Sequence, residues 1–458
     1  METGTQRKTF FIRTFGCQMN VHDAEQMADL LCKAGWEEAA GERQARLILI
    51  NTCSIREKAA QKVYSLLGRL QEAKRRRPDL MIGVTGCLAQ QLGPQLVRKI
   101  PAVDLVVGTH QAHRLPEFVR TVEEGGRVVE TAFNDSVPCL HRIVLPPAGT
   151  VSAFVTIMQG CNNYCAFCVV PYLRGREESR PCREILEEIR LLGGRGVREV
   201  VLLGQNVNSY GRNLVEGIDF ADLLREIAGV EGIERIRFTT SHPKDLSDGL
   251  IRAFRDIEPL CEHIHLPVQS GSDRVLARMN RRYTREDYLG KVARLREACP
   301  DVAVSSDMIV GFPGETEVDF EDTLALMEDV RFDSLFSFKY SEREGTAALL
   351  LDGRVDERVK SRRLRILQDL QDRHTLLKHQ RDVGRTLEVL VEGTSRNSDE
   401  DLTGRTRTNR IVNFPGDRAW IGRTVMVAIR EAFLHSLRGE AVLPGLRVPA
   451  RPMNPKAA

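Results

Sequence analysis

Short apolar runs alternate with amphipathic stretches over the first part of the chain. The runs with the character of buried strands are FFIRTFG, RLILINT and LMIGVTG. The stretches with helical spacing are NVHDAEQMADLLCKAG and REKAAQKVYSLLGRLQEAKRRR. Such alternation is typical of a parallel sheet that is covered by helices on both faces. We therefore predict a doubly wound α/β domain over residues 8–125.

The same alternation continues beyond Pro146 and Pro147, which mark a domain boundary. The candidate strands are AFVTIM, EVVLLG, RIRFTT, HIHLPV, VAVSSDMIVG and SLFSFKY, with amphipathic stretches such as REILEEIRLLGG between them. Repeated units of this kind predict an incomplete (β/α)6 barrel over residues 147–380. Its active site should lie at the carboxyl ends of the strands. The domain should end in a basic amphipathic helix over residues 353–381.

The pattern changes to short strands in residues 382–448. The segments with strand character are RTLEVLVEG, LTGRTRTNRIVNF and RTVMVAIREAF, which predict a small OB-like β-barrel. Guanidinium groups suit phosphate contacts and base stacking. We therefore expect the arginines of this region to face RNA, with an ordinary solvated face as the alternative. They are Arg396, Arg405, Arg407 and Arg410.

Composition adds limits on size and location. The chain has 458 residues, of which 42% are hydrophobic, enough for two to four globular domains. Its net charge of +3 neither requires nor excludes a nucleic-acid partner. The first residues, METGTQRKTF, lack the apolar segment of a signal peptide, and the apolar runs are too short to span a bilayer. We expect a cytoplasmic protein without a membrane association.

The segment QGCNNYCAFCVVP carries the most specific chemical signal. Cys161, Cys165 and Cys168 form a CxxxCxxC pattern, with Phe167 before the last cysteine. Three thiolates in one loop suit three corners of a [4Fe-4S] cube and leave one iron without a protein ligand. The main alternative is a structural zinc site with Cys182 as a fourth ligand, although zinc ligands usually come as two separated pairs. A disulfide framework is disfavoured, because the eleven cysteines cannot all pair.

A second set of cysteines follows the predicted strands of the first domain. Cys17, Cys53 and Cys87 each come at the end of one strand. The carboxyl ends of parallel strands lie along one edge of a sheet, where ligands bind. These three cysteines therefore have the placement of a common site, with ordinary buried cysteines as the alternative. We expect ordinary packing for the other cysteines, which are Cys32, Cys139, Cys182, Cys261 and Cys299.

The CxxxCxxC loop resembles that of the radical S-adenosylmethionine (SAM) superfamily, in which the open iron binds SAM. The resemblance implies that the SAM contacts lie at successive strand ends of the middle domain. A plain reading of the same segments as turns is the alternative, because glycine and proline are common in loops. The candidate SAM-binding residues are Phe167, Gly204, Gln205, Asn206, Gln269, Ser270, Ile309, Gly311 and Pro313.

With both cysteine sets in place, nearly the whole chain resembles the radical SAM methylthiotransferase family. The similarity runs through TFGCQMN, NTCSIREKA, TGCLAQ, MQGCNNYCAFCVVPYLRGRE, LLGQNVNSYG, TSHP, HLPVQSGS, MNRRYT and DMIVGFPGETE. NTCSIREKA and QNVNSYG indicate the branch that acts on N(6)-dimethylallyladenosine in tRNA. The C-terminal segment looks like the barrel called TRAM. A departure is YSEREGTAA, in which Glu342 and Glu344 replace prolines that are usual in the family.

The resemblance implies two [4Fe-4S] clusters, with an auxiliary cluster on Cys17, Cys53 and Cys87. One SAM would be the methyl donor, and another would be cleaved to a radical that activates carbon 2 of the adenine. The implied partners are the anticodon loop of tRNA, an electron donor such as flavodoxin or ferredoxin, and proteins that supply sulfur or clusters. A monomer is expected. Another modified adenosine or ribosomal protein S12 is the alternative substrate, and a zinc-stabilised RNA-binding protein without catalysis is the alternative class.

Overall fold

The computed structural model describes residues 7–53, 57–134, 137–396 and 398–442, so part of NTCSIREKA, residues 54–56, lies outside the described residues. The first region contains a parallel sheet with the strand order β2-β1-β3-β4-β5-β6. Its strands are β1 (Thr9–Phe15), β2 (Glu37–Glu38), β3 (Leu47–Thr52), β4 (Met81–Thr85), β5 (Leu105–Val107) and β6 (Val128–Glu130). Phe15 pairs with Thr52, and Asn51 pairs with Thr85, so the neighbouring strands β1, β3 and β4 end at one edge.

Helices cover both faces of this sheet. They are α1 (Gln18–Lys33), α2 (Glu57–Arg76), α3 (Cys87–Leu92), α4 (Pro94–Lys99) and α5 (Leu115–Glu123). Ile48 and Ile50 of β3 point to one face and pack with Leu66 of α2. Leu47 and Leu49 of the same strand point to the other face, in a separate core. Alternate residues of the strand thus pack into two apolar cores, one on each face of the sheet. This confirms the predicted doubly wound sheet.

The middle region confirms the incomplete barrel. Its strands are β7 (Ser152–Thr156), β8 (Met158–Gln159), β9 (Glu178–Ser179), β10 (Glu199–Leu203), β11 (Arg235–Phe238), β12 (His263–His265), β13 (Ala303–Val310) and β14 (Ser334–Lys339). The parallel sheets β7-β10-β11 and β12-β13-β14 are joined by a bridge between Ile236 and Leu260. The sequence pattern did not predict the short antiparallel pair β8–β9, which flanks the CxxxCxxC loop.

Helices surround these strands on their outer side. They are α6 (Val170–Arg174), α7 (Cys182–Gly194), α8 (Phe220–Ala228), α9 (Asp248–Asp256), α10 (Asp273–Arg278), α11 (Arg285–Ala298), α12 (Glu317–Val330) and α13 (Glu357–Gln380). The last of them is shorter than the predicted helix over 353–381, because the Asp356 carboxylate accepts a hydrogen bond from the Arg358 amide and caps it. In the part of the chain that the structure describes, no helix is long and apolar enough to cross a bilayer.

The C-terminal strands close into a barrel, as predicted. They are β15 (Thr386–Ser395), β16 (Ser398–Thr406), β17 (Ile411–Pro415), β18 (Thr424–Ala432) and β19 (Leu437–Ala441). Their order around the barrel is β15-β16-β17-β19-β18. Apolar side chains such as Val389, Val412 and Phe414 fill the interior. Closure pairs the strand edges that an open sheet would expose.

The barrel docks against the amino-terminal ends of the middle strands. Arg235 and Arg237 begin β11 and are buried there. Arg235 Nη1 donates to the Arg405 carbonyl at 2.7 Å, and Arg237 donates to the carbonyls of Thr406 and Arg407 at 2.7 and 2.9 Å. The loop after β16 is therefore held by charged donors at the end opposite to the strand carboxyl ends.

This docking corrects the expectation that Arg405, Arg407 and Arg410 face RNA. The Arg407 guanidinium lies 2.8 Å from the Glu262 carboxylate, and Arg410 pairs with Asp333 at 3.2 Å. Arg405 pairs with Glu392 inside the barrel domain at 3.1 Å. These arginines serve the contact between domains or the barrel itself, because carboxylates already neutralise them. Arg396 is exposed, as are Arg418 and Arg423 on the loop that precedes β18.

Candidate active site

Three cysteines meet at the carboxyl edge of the first sheet. Cys17 follows β1 by two residues, Cys53 follows β3 directly, and Cys87 begins α3 just after β4. A hydrogen bond with the Cys53 side chain is the largest effect that lowers the pKa of the Cys17 thiol, to about 6. Gly16 permits the close approach, because a Cβ atom at this position would lie 2.7 Å from the Cβ atom of Cys53.

An amide network supports this edge. The Asn51 side chain donates to the Asn20 carbonyl at 2.6 Å, and the Asn20 side chain donates back to Asn51 Oδ1 at 3.3 Å. The Cys17 thiol donates to Asn20 Oδ1 at 3.3 Å. Asn20 and Asn51 are fully buried, so their mutual hydrogen bonds hold the turns that carry the first two cysteines.

A buried arginine completes the first cysteine site. Arg174, at the end of α6, donates through Nη2 to the Asp23 carboxylate at 2.5 Å. Among the described residues, its buried Nη1 atom has no hydrogen-bond partner, although its charge acts on Cys17 and Cys87. Three thiols beside an unsatisfied cationic donor suit an anionic group with sulfur acceptors. An iron-sulfur cluster held by three thiolates is such a group.

The CxxxCxxC loop lies between β8 and α6. The Cys168 amide donates to the Cys165 carbonyl at 2.9 Å, which folds the loop back on itself. Burial raises the pKa of Cys161 to about 11 and that of Cys168 to about 12. In the absence of a metal, these two thiols are therefore protonated at neutral pH. Iron ligation would have to displace the protons, as it does for cysteine ligands in general.

Two side chains from distant elements point N–H groups at Cys165. Arg281 Nη1 lies 3.3 Å from the Cys165 sulfur and donates to it, while Nη2 is anchored on the Pro267 carbonyl at 2.6 Å. His242 Nε2 lies 3.9 Å from the same sulfur. Burial, with the nearby Arg281 charge, lowers the pKa of His242 to about 2, so its ring is neutral.

The hydrogen bonding of His242 fixes its tautomer. Its Nδ1 atom accepts from the Lys244 amide at 3.2 Å, so Nε2 carries the proton that faces Cys165. No sequence pattern predicted a role for His242 or Arg281. Their only signal was that they occur in TSHP and MNRRYT, two of the segments that carried the family resemblance.

Four of the candidate SAM-binding residues gather around the cysteine loop. Gln205 Oε1 accepts from the Gly160 amide at 2.5 Å, directly before Cys161. A side chain at Gly204 would collide with Met158 of β8. Phe167 and Ile309 belong to one apolar cluster with Phe312. The structure thus brings together Phe167, Gly204, Gln205 and Ile309.

The remaining candidate SAM-binding residues lie at the strand ends, where they bond to neighbouring residues or line a cavity. Asn206 donates to Asp245 at 2.7 Å and keeps a buried Oδ1 atom without a partner among the described residues. The Gln269 carbonyl accepts from the Ile309 amide at 3.0 Å, and Ser270 Oγ lies 3.4 Å from Thr323 Oγ1 of α12. Gly311 and Pro313 line a cavity of about 170 Å³ beside α13, together with Tyr340, Glu342, Arg354 and Lys360.

The two cysteine sites are separated by one short helix. Val169 and Leu173 pack against Cys87, so α6 continues from the CxxxCxxC loop directly onto the first site. Thr109 donates to the Leu173 carbonyl at 2.5 Å, and His110 Nε2 donates to the Arg174 carbonyl at 3.2 Å. These bonds tie the first domain to α6. They fix the first site against the second.

The zinc alternative has no formed site. Cys182, its candidate fourth ligand, begins α7 and is buried in the middle core. Within the described ranges, no three Cys, His, Asp or Glu side chains converge so that they could share one metal ion. A cubane cluster makes no such demand, because each thiolate binds a different iron. Of the other cysteines, Cys32 departs from the expected packing, since it is exposed, whereas Cys139, Cys182, Cys261 and Cys299 are buried.

The inner face of the incomplete barrel carries exposed aromatic rings. Ser337 and Lys339 of β14 contact α13, so the alternate residues Phe336 and Phe338 point into the barrel. Phe336 is 54% exposed and Phe338 is 40% exposed. Phe338 pairs with Ile309, which places it next to the apolar cluster around Phe167.

Polar groups flank the Phe336 ring on the same face. His265 stands edge-on to this ring with the centroids 5.9 Å apart, and it lies 3.4 Å from the Asp307 carboxylate. Asp307 pairs with Phe336 across the strands. The open part of the barrel thus offers an apolar wall with a polar margin, which suits a flat ligand with an apolar substituent.

Known proteins resemble the chain over most of its length. Residues 155–327 match the model of the radical SAM superfamily, residues 9–108 that of the uncharacterized protein family UPF0004, and residues 380–442 that of the TRAM domain. A solved structure with a similar fold is the radical S-adenosylmethionine methyltransferase TsrM from Kitasatospora setae, with cobalamin and a [4Fe-4S] cluster bound. It has a TM-score of 0.57 at 14% identity and covers 75% of this chain and 77% of its own.

Closer relatives come from curated sequences. The tRNA-2-methylthio-N(6)-dimethylallyladenosine synthase of Syntrophus aciditrophicus is 58% identical over 95% of this chain and 94% of its own length. The synthase of the same name from Geobacter metallireducens is 52% identical over 95% of this chain and 99% of its own length. The chain therefore belongs to the family of the tRNA-2-methylthio-N(6)-dimethylallyladenosine synthases, which are radical SAM methylthiotransferases that modify tRNA.

Proposed function

We propose that this enzyme adds a methylthio group to carbon 2 of N(6)-dimethylallyladenosine beside the anticodon of tRNA. One SAM would supply the methyl group and a second would supply the radical. The observation that carries the proposal is the pair of cysteine sites on either side of α6, where two cofactors can act on one substrate. The relatives, which bear the name of this reaction, support the same substrate.

The family uses SAM and two [4Fe-4S] clusters. We propose that Cys161, Cys165 and Cys168 hold the cluster that binds SAM. The other cluster would be held by Cys17, Cys53 and Cys87. When bound, the clusters supply the electron that cleaves SAM and the site that carries the sulfur.

Protein groups around the second cysteine site have separate tasks. Arg281 and His242 direct N–H groups at Cys165 and so hold its sulfur in place. Gln205 fixes the start of the loop through Gly160, and Phe167 packs the end of the loop against Phe312. The candidate residues named above for SAM line the strand ends at which a radical SAM barrel binds this cofactor.

We propose that Phe336 and Phe338 receive the adenine and its dimethylallyl group. The base would have to leave its stack in the anticodon loop to reach the inside of the barrel. Replacing both phenylalanines with alanine should lower kcat/KM for prenylated tRNA about tenfold. The apolar contacts of a pocket with the dimethylallyl group stabilise the transition state by about this factor. Affinity for tRNA as a whole should change little, since phosphate contacts dominate it.

Initial rates on prenylated tRNA would measure this effect. Phe433→Ala is a matched control, because Phe433 is 48% exposed on the C-terminal barrel domain. An unchanged kcat/KM in the Phe336→Ala, Phe338→Ala variant would show that the base binds elsewhere.

The exposed arginines of the barrel loop are the better candidates for phosphate contacts. Replacing Arg418 and Arg423 with alanine should weaken tRNA binding. It should also flatten the slope of log affinity against log salt by about one to two units. Binding releases fewer counterions when the protein makes fewer phosphate contacts. Filter binding at several salt concentrations would measure both.

The matched control for these arginines is Arg75→Ala, Arg76→Ala. These two side chains are 71% and 79% exposed at the end of α2. If both double variants lose the same salt dependence, a general loss of charge explains the effect, and the barrel loop has no special role.

The proposal also includes an electron donor and proteins that supply sulfur or clusters. A reaction that starts with SAM cleavage needs a one-electron donor, such as flavodoxin or ferredoxin. The sulfur consumed in each turnover implies proteins that supply sulfur or clusters. We also propose that the enzyme acts as a cytoplasmic monomer, since the three domains of one chain contain both cysteine sites and a barrel suited to RNA.

Mass spectrometry of tRNA nucleosides tests the proposed function. A strain without this gene should accumulate dimethylallyladenosine, and the gene should restore its methylthio derivative. Digestion of ribosomal protein S12 from the same cells tests the alternative substrate. Methylthio-dimethylallyladenosine at normal levels in the deletion strain, or a loss confined to S12 or another adenosine, would contradict the proposal.

A further inference from the structure

Arg174 occupies the space between the two cysteine sites. It is the last residue of α6, the helix that follows the CxxxCxxC loop, yet its side chain reaches the first domain. The side chain is 4% exposed. It is neither a thiolate ligand nor a candidate SAM contact, and the proposed function gives its side chain no task in the reaction.

One of the two terminal nitrogens of Arg174 has a hydrogen-bond partner and the other has none among the described residues. A guanidinium has five N–H donors and no acceptor. Nη2 is satisfied by Asp23, at 2.5 Å, whereas Nη1 is buried without a partner among the described residues. Buried charged donors are costly to leave unpaired, so an acceptor at this position is expected when the site is complete.

The surroundings of Nη1 identify the chemistry of the missing acceptor. The positive charge acts on the thiols of Cys17 and Cys87, and the Arg174 side chain also makes a hydrogen bond with the Cys87 thiol. Leu173 and Cys87 pack together, which brings the end of α6 onto this site. A sulfur atom with negative charge is the acceptor that a cluster in this site would present to Nη1.

We infer that Arg174 is a positioning residue that donates hydrogen bonds to sulfur at the auxiliary cluster, to the ligand Cys87 and, through Nη1, to the transferable sulfur that the cluster would carry. This inference rests on the proposed function. The side chains of Thr109 and His110 donate hydrogen bonds to the backbone carbonyls of Leu173 and Arg174, which keeps the end of α6 in place.

The inference predicts a change in sulfide binding at the auxiliary cluster. In a Cys165→Ala background, the auxiliary cluster is the only one expected, so its spectrum can be followed alone. Adding Arg174→Gln should weaken the binding of sodium sulfide about tenfold, because one charge-assisted hydrogen bond is lost. The reduction potential should also fall, since hydrogen bonds to cluster sulfur raise it.

Anaerobic titration with sodium sulfide, followed by electron paramagnetic resonance and Mössbauer spectroscopy, measures both effects. Asp23→Asn in the same background is the matched control, because it removes the partner carboxylate and leaves the guanidinium. It should retain sulfide affinity within about threefold, since the donor to sulfur remains. Equal sulfide affinity and equal potential in the parent and Arg174→Gln proteins would overturn the inference.

A second variant decides the case if Arg174→Gln does not load iron. Arg174→Lys keeps the charge but loses the fork that serves Asp23 and the sulfur together. Weaker sulfide binding in Arg174→Lys supports the inference, and parental binding overturns it. If the Cys165→Ala parent itself contains no cluster or binds no sulfide, the cluster assignment in the proposed function fails, which is a distinct result.

Discussion

Replacing Cys165 with alanine should abolish the reductive formation of 5'-deoxyadenosine. Cys165 is the cysteine to which both Arg281 and His242 direct N–H groups, so its loss removes a proposed thiolate ligand and the acceptor of two donors. Iron should fall from about eight to about four per chain, as expected when one of two cubane clusters is lost. Chromatography of SAM products with dithionite as the reductant would measure the reaction.

Cys299→Ala is the matched control for this substitution. Cys299 is also buried, but it follows α11 and packs in the middle core. The control should keep its iron and form 5'-deoxyadenosine. Sustained 5'-deoxyadenosine formation by Cys165→Ala at the parental rate would show that the radical cluster is held elsewhere.

Replacing Cys17 with alanine should have the complementary effect. The methylthio product should disappear, while SAM cleavage persists, because Cys17 belongs to the first sheet and the CxxxCxxC loop to the middle domain. Iron should again fall to about four per chain. The substitution also removes the hydrogen bond between Cys17 and Cys53, which distinguishes this site from three separate buried cysteines.

Cys32→Ala serves as the control for Cys17→Ala. Cys17 precedes α1, whereas Cys32 lies in its last turn, is exposed and is remote from the strand edge. Product formation should be normal in this control. Full product formation by Cys17→Ala would contradict the assignment of the auxiliary cluster.

Local patterns were sufficient to predict most of the fold. Strand-like runs followed by helical spacing identified both α/β regions, and cysteines at three strand ends predicted a common edge that the register of Phe15, Thr52 and Thr85 confirms. This worked because parallel strands bring their carboxyl ends together whatever the sequence distance between them. The ligand assignments of these cysteines remain predictions.

Contacts between distant elements could not be predicted. Arg281 lies beside Cys165 although 116 positions separate them in the chain, and no periodicity in the sequence indicates this. The expectation for Arg407 was wrong for a related reason. Charge alone does not show whether an arginine meets a phosphate or a carboxylate such as that of Glu262 in another domain.

Arg174 illustrates the same limit. In the sequence it is one basic residue in PYLRGRE, with nothing to separate it from its neighbour Arg176. In the fold, Arg174 is buried between two domains, whereas Arg176 is exposed. The packing of α6 on α3 produces this difference, and such packing depends on the relative placement of two domains.

A single reaction tests the central claim most directly. The anaerobically reconstituted protein would receive SAM, a reductant and one tRNA, either with or without the dimethylallyl group on its target adenosine. The account predicts a methylthio nucleoside from the prenylated tRNA, with S-adenosylhomocysteine and 5'-deoxyadenosine formed in similar amounts, and little product from the unprenylated tRNA. Formation of 5'-deoxyadenosine without any methylthio nucleoside from the prenylated tRNA would contradict it.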